Sequence, residues 1–94
     1  MPTAWQVHWT QHARCRASER FGVRWQDMPP PPSRAVSAGM RLVNAGGKFI
    51  VRANGVKYVI NRETGFAAVA TCWPVDGGRD GKARNGSVVV AEDG

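Results

Sequence analysis

Asn54-Gly55 stands between two runs of β-forming residues, Lys48-Phe-Ile-Val-Arg-Ala53 and Val56-Lys-Tyr-Val-Ile-Asn61. Asn-Gly accommodates positive φ at both central positions of a type I′ turn, whose twist matches that of the strands it joins. The dipeptide therefore predicts a hairpin and sets its register. Ala53 faces Val56, Arg52 faces Lys57, Val51 faces Tyr58, Ile50 faces Val59 and Phe49 faces Ile60. Side chains alternate along a strand, so one face is Phe49, Val51, Ala53, Val56, Tyr58 and Ile60. That face is nearly all apolar and must be covered by other parts of the chain. The opposite face carries Lys48, Ile50, Arg52, Lys57, Val59 and Asn61.

The cover is expected from a helix at residues 11–21, Gln-His-Ala-Arg-Cys-Arg-Ala-Ser-Glu-Arg-Phe. The segment lacks Pro, Gly and β-branched residues. Thr10 is a good N-cap and Gly22 a natural stop. Its apolar side is thin, limited to Ala13, Ala17, Phe21 and Cys15, so it needs the sheet to hold it. Before it, Trp5, Val7 and Trp9 alternate with Gln6 and His8 in the manner of a short strand, although the i,i+4 spacing of Trp5 and Trp9 equally suits a helix. Phe66 to Trp73 reads as a further strand, stopped by Pro74 and entered through a turn at 62–65. Residues 87–91 read as a last edge strand. Pro29 to Pro32 is expected to form a stiff polyproline II connector. Residues 33–44 are ambiguous: Ser33 suits a helix cap, whereas Met40-Arg41-Leu42-Val43 suits a strand. Residues 76–86 are rich in Gly and charge and read as a mobile loop. The fold expected is α+β in one domain spanning 1–94, with a short N-terminal helix packed on an antiparallel sheet of three to five strands.

Ninety-four residues leave no room for a second domain. The formal net charge is +6, unevenly spread. Residues 1–62 hold ten of the 13 basic side chains and two acids, Glu19 and Asp27; residues 63–94 hold three bases and five acids. A basic body of this kind fits a polyanionic partner, either nucleic acid or an acidic protein. Two cysteines, Cys15 and Cys72, cannot form the disulfide framework of a small secreted scaffold, and reduced thiols are expected. No apolar run approaches membrane-spanning length, and the first residues lack the pattern of a secretion signal. A cytoplasmic protein is the expectation.

The helix carries the most suggestive chemistry. His12, Arg16 and Arg20 follow at intervals of four and share one face. RNA cleavage needs a base for the 2′-hydroxyl proton and fixed cations for the charge that builds on phosphorus. Arginine suits phosphate because its fork is bidentate. A solvated cationic helix face with an incidental histidine would leave the same pattern. His8 and His12 lack a third ligand of the kind a metal site requires. Cys15 has no evident partner base, and the glycines of 76–86 lack the context of a P-loop. Arg52 opposite Lys57 would repel unless an anion sits between them or both side chains splay into solvent. One or two of Trp5, Trp9, Trp25 and Trp73 could serve as platforms for base stacking or as anchors for a protein partner.

The run Thr10-Gln-His-Ala-Arg-Cys-Arg-Ala-Ser-Glu-Arg-Phe-Gly22 resembles the "His-Ala-x-x-Arg-x-x-x-Arg" opening helix of small RelE-type toxins. Tyr58-Val-Ile-Asn-Arg-Glu-Thr-Gly65, leading to Val69-Ala-Thr-Cys-Trp73, resembles their closing strands. That group belongs to the barnase, colicin and RelE ribonuclease fold. The resemblance covers about residues 10–73 in two patches. It implies an endoribonuclease-like protein that needs no cofactor, with His12, Arg16 and Thr71 as catalytic positions and no metal. Arg20, Arg52, Lys57 and Lys48 would hold RNA. An antitoxin or another acidic protein would be the protein partner. Two features depart from the pattern: the tetraproline stands where many members have a second helix, and the chain continues well beyond Pro74. The competing expectation is a non-catalytic phage or mobile-element protein that binds and inhibits an acidic host protein, steered by its basic face and anchored by tryptophans.

Overall fold

A computed structural model describes residues 5–74 and 88–91. Strand β1 (Gln6–Trp9) leads into helix α1 (Gln11–Phe21) and then a 3₁₀ turn (Trp25–Asp27). Helix α2 (Ser33–Leu42) precedes β2 (Lys48–Ala53), β3 (Val56–Arg62) and β4 (Phe66–Pro74), with β5 (Val88–Ala91) last. The fold is α+β, as expected. The sheet has five strands in the order β1-β4-β3-β2-β5. Only the central meander β2-β3-β4 is antiparallel; β1 runs parallel to β4, and β5 parallel to β2. The all-antiparallel sheet is thus corrected to a mixed one. Two helices and the β2-β3 hairpin separate β1 from its neighbour β4, and so long a connection can bring the chain back in a direction that a tight hairpin cannot.

The hairpin register is the one Asn54-Gly55 dictates, pair for pair from Ala53↔Val56 to Lys48↔Asn61. Asn54 and Gly55 have φ of 57° and 75°. All six residues of the apolar face lie in the core. Ala13 and Ala17 of α1 cover that face from one side, and Ala35, Val36 and Met40 of α2 from the other. Trp5, Val7 and Trp9 pack at the β1 edge.

The ambiguous stretch after the prolines resolves as a second helix. Ala35, Val36, Gly39 and Met40 fall on one face, and all are buried. Gly39 is there because a Cβ would collide with the Phe49 ring. Pro32, not Ser33, occupies the cap position, and Ser33 begins the helix. At the other end Arg62 donates to the carbonyls of Met40 (2.7 Å) and Val43 (2.6 Å), which α2 leaves unpaired. The tetraproline is more than a connector. Pro31 is buried, and the Pro29 carbonyl accepts a hydrogen bond from the Tyr58 hydroxyl at 2.5 Å. The expected loop at 76–86 lies outside the described residues. No helix among the described residues is long and apolar enough to cross a membrane.

Candidate functional site

Thr10 sets the position of α1. Its hydroxyl accepts from the Ala13 amide (3.1 Å) and donates to the Val69 carbonyl (3.0 Å), with the Ala70 carbonyl at 3.3 Å. Its own amide also donates to the Val69 carbonyl, at 3.1 Å. One residue therefore caps the helix and fastens it to β4. It does so where the β3-β4 register slips: Ile60 pairs with Val69 but Val59 with Thr71, so Ala70 is a bulge. A bulge inverts the alternation of the residues that follow it. Cys72 consequently faces the core beside Tyr58, and Thr71 and Trp73 face the opposite side.

The expected catalytic pair on α1 is in contact. Arg16 Nε donates to His12 Nε2 at 3.3 Å. Arg16 also forms an ion pair with Glu19 at 2.5 Å. Glu19, which in the sequence counts only as a charge, is thus a part of the site at i,i+3 spacing from Arg16. It orients the guanidinium and offsets part of its charge. His12 itself is exposed.

Arg20 and Thr71 also come together. Arg20 donates to Thr71 Oγ1 (3.1 Å) and to the Cys72 carbonyl (3.0 Å). Its guanidinium lies over the Trp73 ring, 3.4 Å from the centroid. β1 pairs only with Phe66 to Val69, which leaves the later part of β4 uncovered on that side. Arg20 reaches across this edge. Its hydrogen bonds are thus spent inside the fold. Thr71 is engaged by Arg20 rather than by His12.

The sheet cations separate. Arg52 and Lys57 are cross-strand neighbours on the outer face, as the register requires. Arg52 and Lys48 are exposed, whereas Lys57 is only 4% exposed. Lys57 is therefore not placed to meet RNA from solvent, which corrects its expected role. The two thiols also differ from each other: Cys15 is exposed and Cys72 buried, both free. Burial raises the Cys72 thiol above its ordinary pKa, and the charge of Arg20 works in the other direction. Among the described residues, no three His, Cys, Asp or Glu side chains gather as metal ligands.

Asn61 pairs with Ala68, and Ala68 with His8 of β1. His8 meets the Phe66 ring edge-on, with centroids 4.9 Å apart, and lies 3.4 Å from Gln6 Oε1. The hairpin register already set Asn61 opposite Lys48. The parallel β1-β4 pairing that brings His8 and Phe66 alongside had no local signal. No protein-family model, curated protein or solved structure matches this chain.

Proposed function

We propose that this is an RNA-directed, metal-independent endoribonuclease-like protein, toxin-like in kind and cytoplasmic in location. The observation that carries the reading is the His12-Arg16 contact on an exposed helix flank, with Arg20 one turn further on. His12 Nε2 is the group that would take the 2′-hydroxyl proton, once Arg16 Nε releases it and turns to the phosphate. The 2′-oxygen then attacks the adjacent phosphorus and the bond to the 5′-oxygen breaks. The departing oxygen takes a proton from the imidazolium or from water. Arg16 sits where it could leave Glu19 for a phosphate oxygen and stabilise the charge developing there. Arg20 and Thr71 act as positioning residues, because their hydrogen bonds are to each other and to the β4 backbone. Arg52 and Lys48 would hold the RNA backbone.

The test is incubation of the purified protein with total RNA in EDTA, beside His12→Ala and Arg16→Ala. Cleavage by the native chain that both variants lose is the expected result. Cleavage unchanged in His12→Ala would remove the assignment of the base. A folded protein that leaves RNA intact would favour the second reading, a non-catalytic protein that binds an acidic host protein. The observation favouring that reading is the internal employment of the cations: Arg16 is paired with Glu19, and Arg20 with Thr71 and Cys72.

A further inference from the structure

We propose that the free edge of β5 is a dimer interface. A second copy of this chain adds its own β5 there in antiparallel order, making one continuous sheet across both copies. The proposal stands independently of the RNA reading.

β5 (Val88–Ala91) is the last strand of the sheet, and among the described residues only β2 pairs with it. Its other side is a row of backbone N–H and C=O groups, a template for a further strand. Natural sheets blunt such an edge with charge, proline or a bulge. β5 has none of these. Its residues are Val88, Val89, Val90 and Ala91, and its register with β2 runs unbroken from Phe49↔Val88 to Arg52↔Ala91. The opposite edge, β1, is built differently, with exposed polar Gln6 and His8. Val89 is apolar and 46% exposed, on the outer face beside Ile50.

Symmetry, packing and charge select a second copy as the occupant. A strand of near-identical residues is complementary to itself. Placing Val89 opposite its own copy, and Val88 opposite Val90, keeps inner positions with inner and outer with outer, and every such pair is β-branched. The contact is isologous and closes after two chains, whereas joining β5 to the β1 edge of another copy would continue without end. A strand of four residues is too small alone, since a stable dimer takes about 800 Å² from each partner. Helix α2 supplies the rest. It packs on both β5 and β2, which sets it beside the two-fold axis, and its Leu42 is 63% exposed. Charge selects the same edge. Two chains of net charge +6 repel, and they meet at least cost where the chain is least basic. β5 carries no charge, and residues 63–94 hold five acids against three bases. Arg41 of α2 is exposed, so the remaining repulsion should make the dimer tighten as salt is raised. Helix α1, with His12 and Arg16, packs on β4, about 14 Å from β5 across β3 and β2, and stays open in the dimer.

The experiment is sedimentation equilibrium of the full chain from micromolar to millimolar concentration, beside Val89→Lys, Leu42→Lys and His8→Lys. Hydrogen exchange of the β5 amides is followed at both ends of that range. The native chain should pass from 10.2 kDa to twice that mass, more readily at high salt. Exchange at Val88 to Ala91 should slow as it does so. Val89→Lys sets two ammonium groups opposite each other across the axis and should stay monomeric throughout. At micromolar concentration it should melt with the native chain, because Val89 lies on the exposed outer face. Leu42→Lys should also weaken the dimer, and it leaves the strand untouched should Val89→Lys disturb the fold. His8→Lys, at the other edge, should dimerise as the native chain does. A native chain that is monomeric at every concentration would overturn the proposal. So would a dimer that Val89→Lys and Leu42→Lys both leave intact, one that His8→Lys abolishes, or one whose β5 amides exchange as fast as the monomer's.

Discussion

Tyr58 brings a hydroxyl into the centre of the core, where its side chain is wholly buried. The hydroxyl is satisfied by donating to the Pro29 carbonyl, which also fixes the tetraproline against the sheet. Burial pushes its pKa up from 10.0 to about 12; Asn54 lowers it somewhat and Cys72 adds to the rise. The phenol is neutral in both folded and unfolded chains below pH 10, so its contribution to stability is complete there. Between pH 10 and about 12 the unfolded chain ionises first, and that contribution is lost. Two pKa units correspond to roughly 3 kcal/mol. Cys72, also raised by burial, pulls in the same direction as its thiol is titrated. Urea unfolding at pH 8 and at pH 11 should therefore show a steep fall in stability for the native chain. Tyr58→Phe should be less stable at pH 8 by about 1 kcal/mol, the cost of one hydrogen bond. Its further loss by pH 11 should be clearly smaller. An equal fall in both chains would show that Tyr58 is not the group responsible.

Helix α1 was legible to the residue: its N-cap, its span and its stop at Gly22, which has φ of 70°. What holds it was not. Its buried side is two alanines, too little to dock a helix unaided. The Thr10 hydroxyl supplies the rest by binding both the first turn and β4. Thr10→Ala should cost about 2 kcal/mol, the upper end for loss of an N-cap, because the bonds to β4 go with it. Thr10→Ser, which keeps the hydroxyl, should recover most of that in a denaturant titration. A Thr10→Ala chain as stable as the native one would mean that packing alone positions α1. The same strand contains the bulge at Ala70. Had β4 run without it, Thr71 and Trp73 would face the core and Cys72 would face outward. Helix α2 had the right spacing at Ala35, Val36, Gly39 and Met40. The four prolines before it and Val43 after it obscured the pattern.

For the molecule as a whole, the net charge of +6 makes one demand on the proposed function. Binding to single-stranded RNA should weaken with salt, by about 0.7 logarithmic units per tenfold rise in salt for each phosphate neutralised. Lys48→Ala and Arg52→Ala should each lower that slope by about one phosphate's worth. Lys57→Met should leave the slope unchanged, because Lys57 is buried. Isothermal titration at three salt concentrations would measure these slopes. Salt-independent binding would remove the electrostatic basis of the RNA reading. A full phosphate's contribution from Lys57 would mean that its burial in the free protein does not persist in the complex.

Features that depend only on near neighbours along the chain are legible before any fold is known. Asn54-Gly55 fixed the hairpin and its register, Thr10 and Gly22 bounded α1, and spacing by four joined His12 to Arg16. These are short-range effects, set by backbone dihedrals and by periods of two and 3.6 residues. The rest came from long-range closure: the parallel pairing of β1 with β4 and of β5 with β2, the Ala70 bulge, the contact of Arg20 with Thr71 and the burial of Lys57. Each joins residues distant in the chain through the free energy of closing one common core. No local pattern records that balance, because the same strands would satisfy their own alternation in several sheet orders.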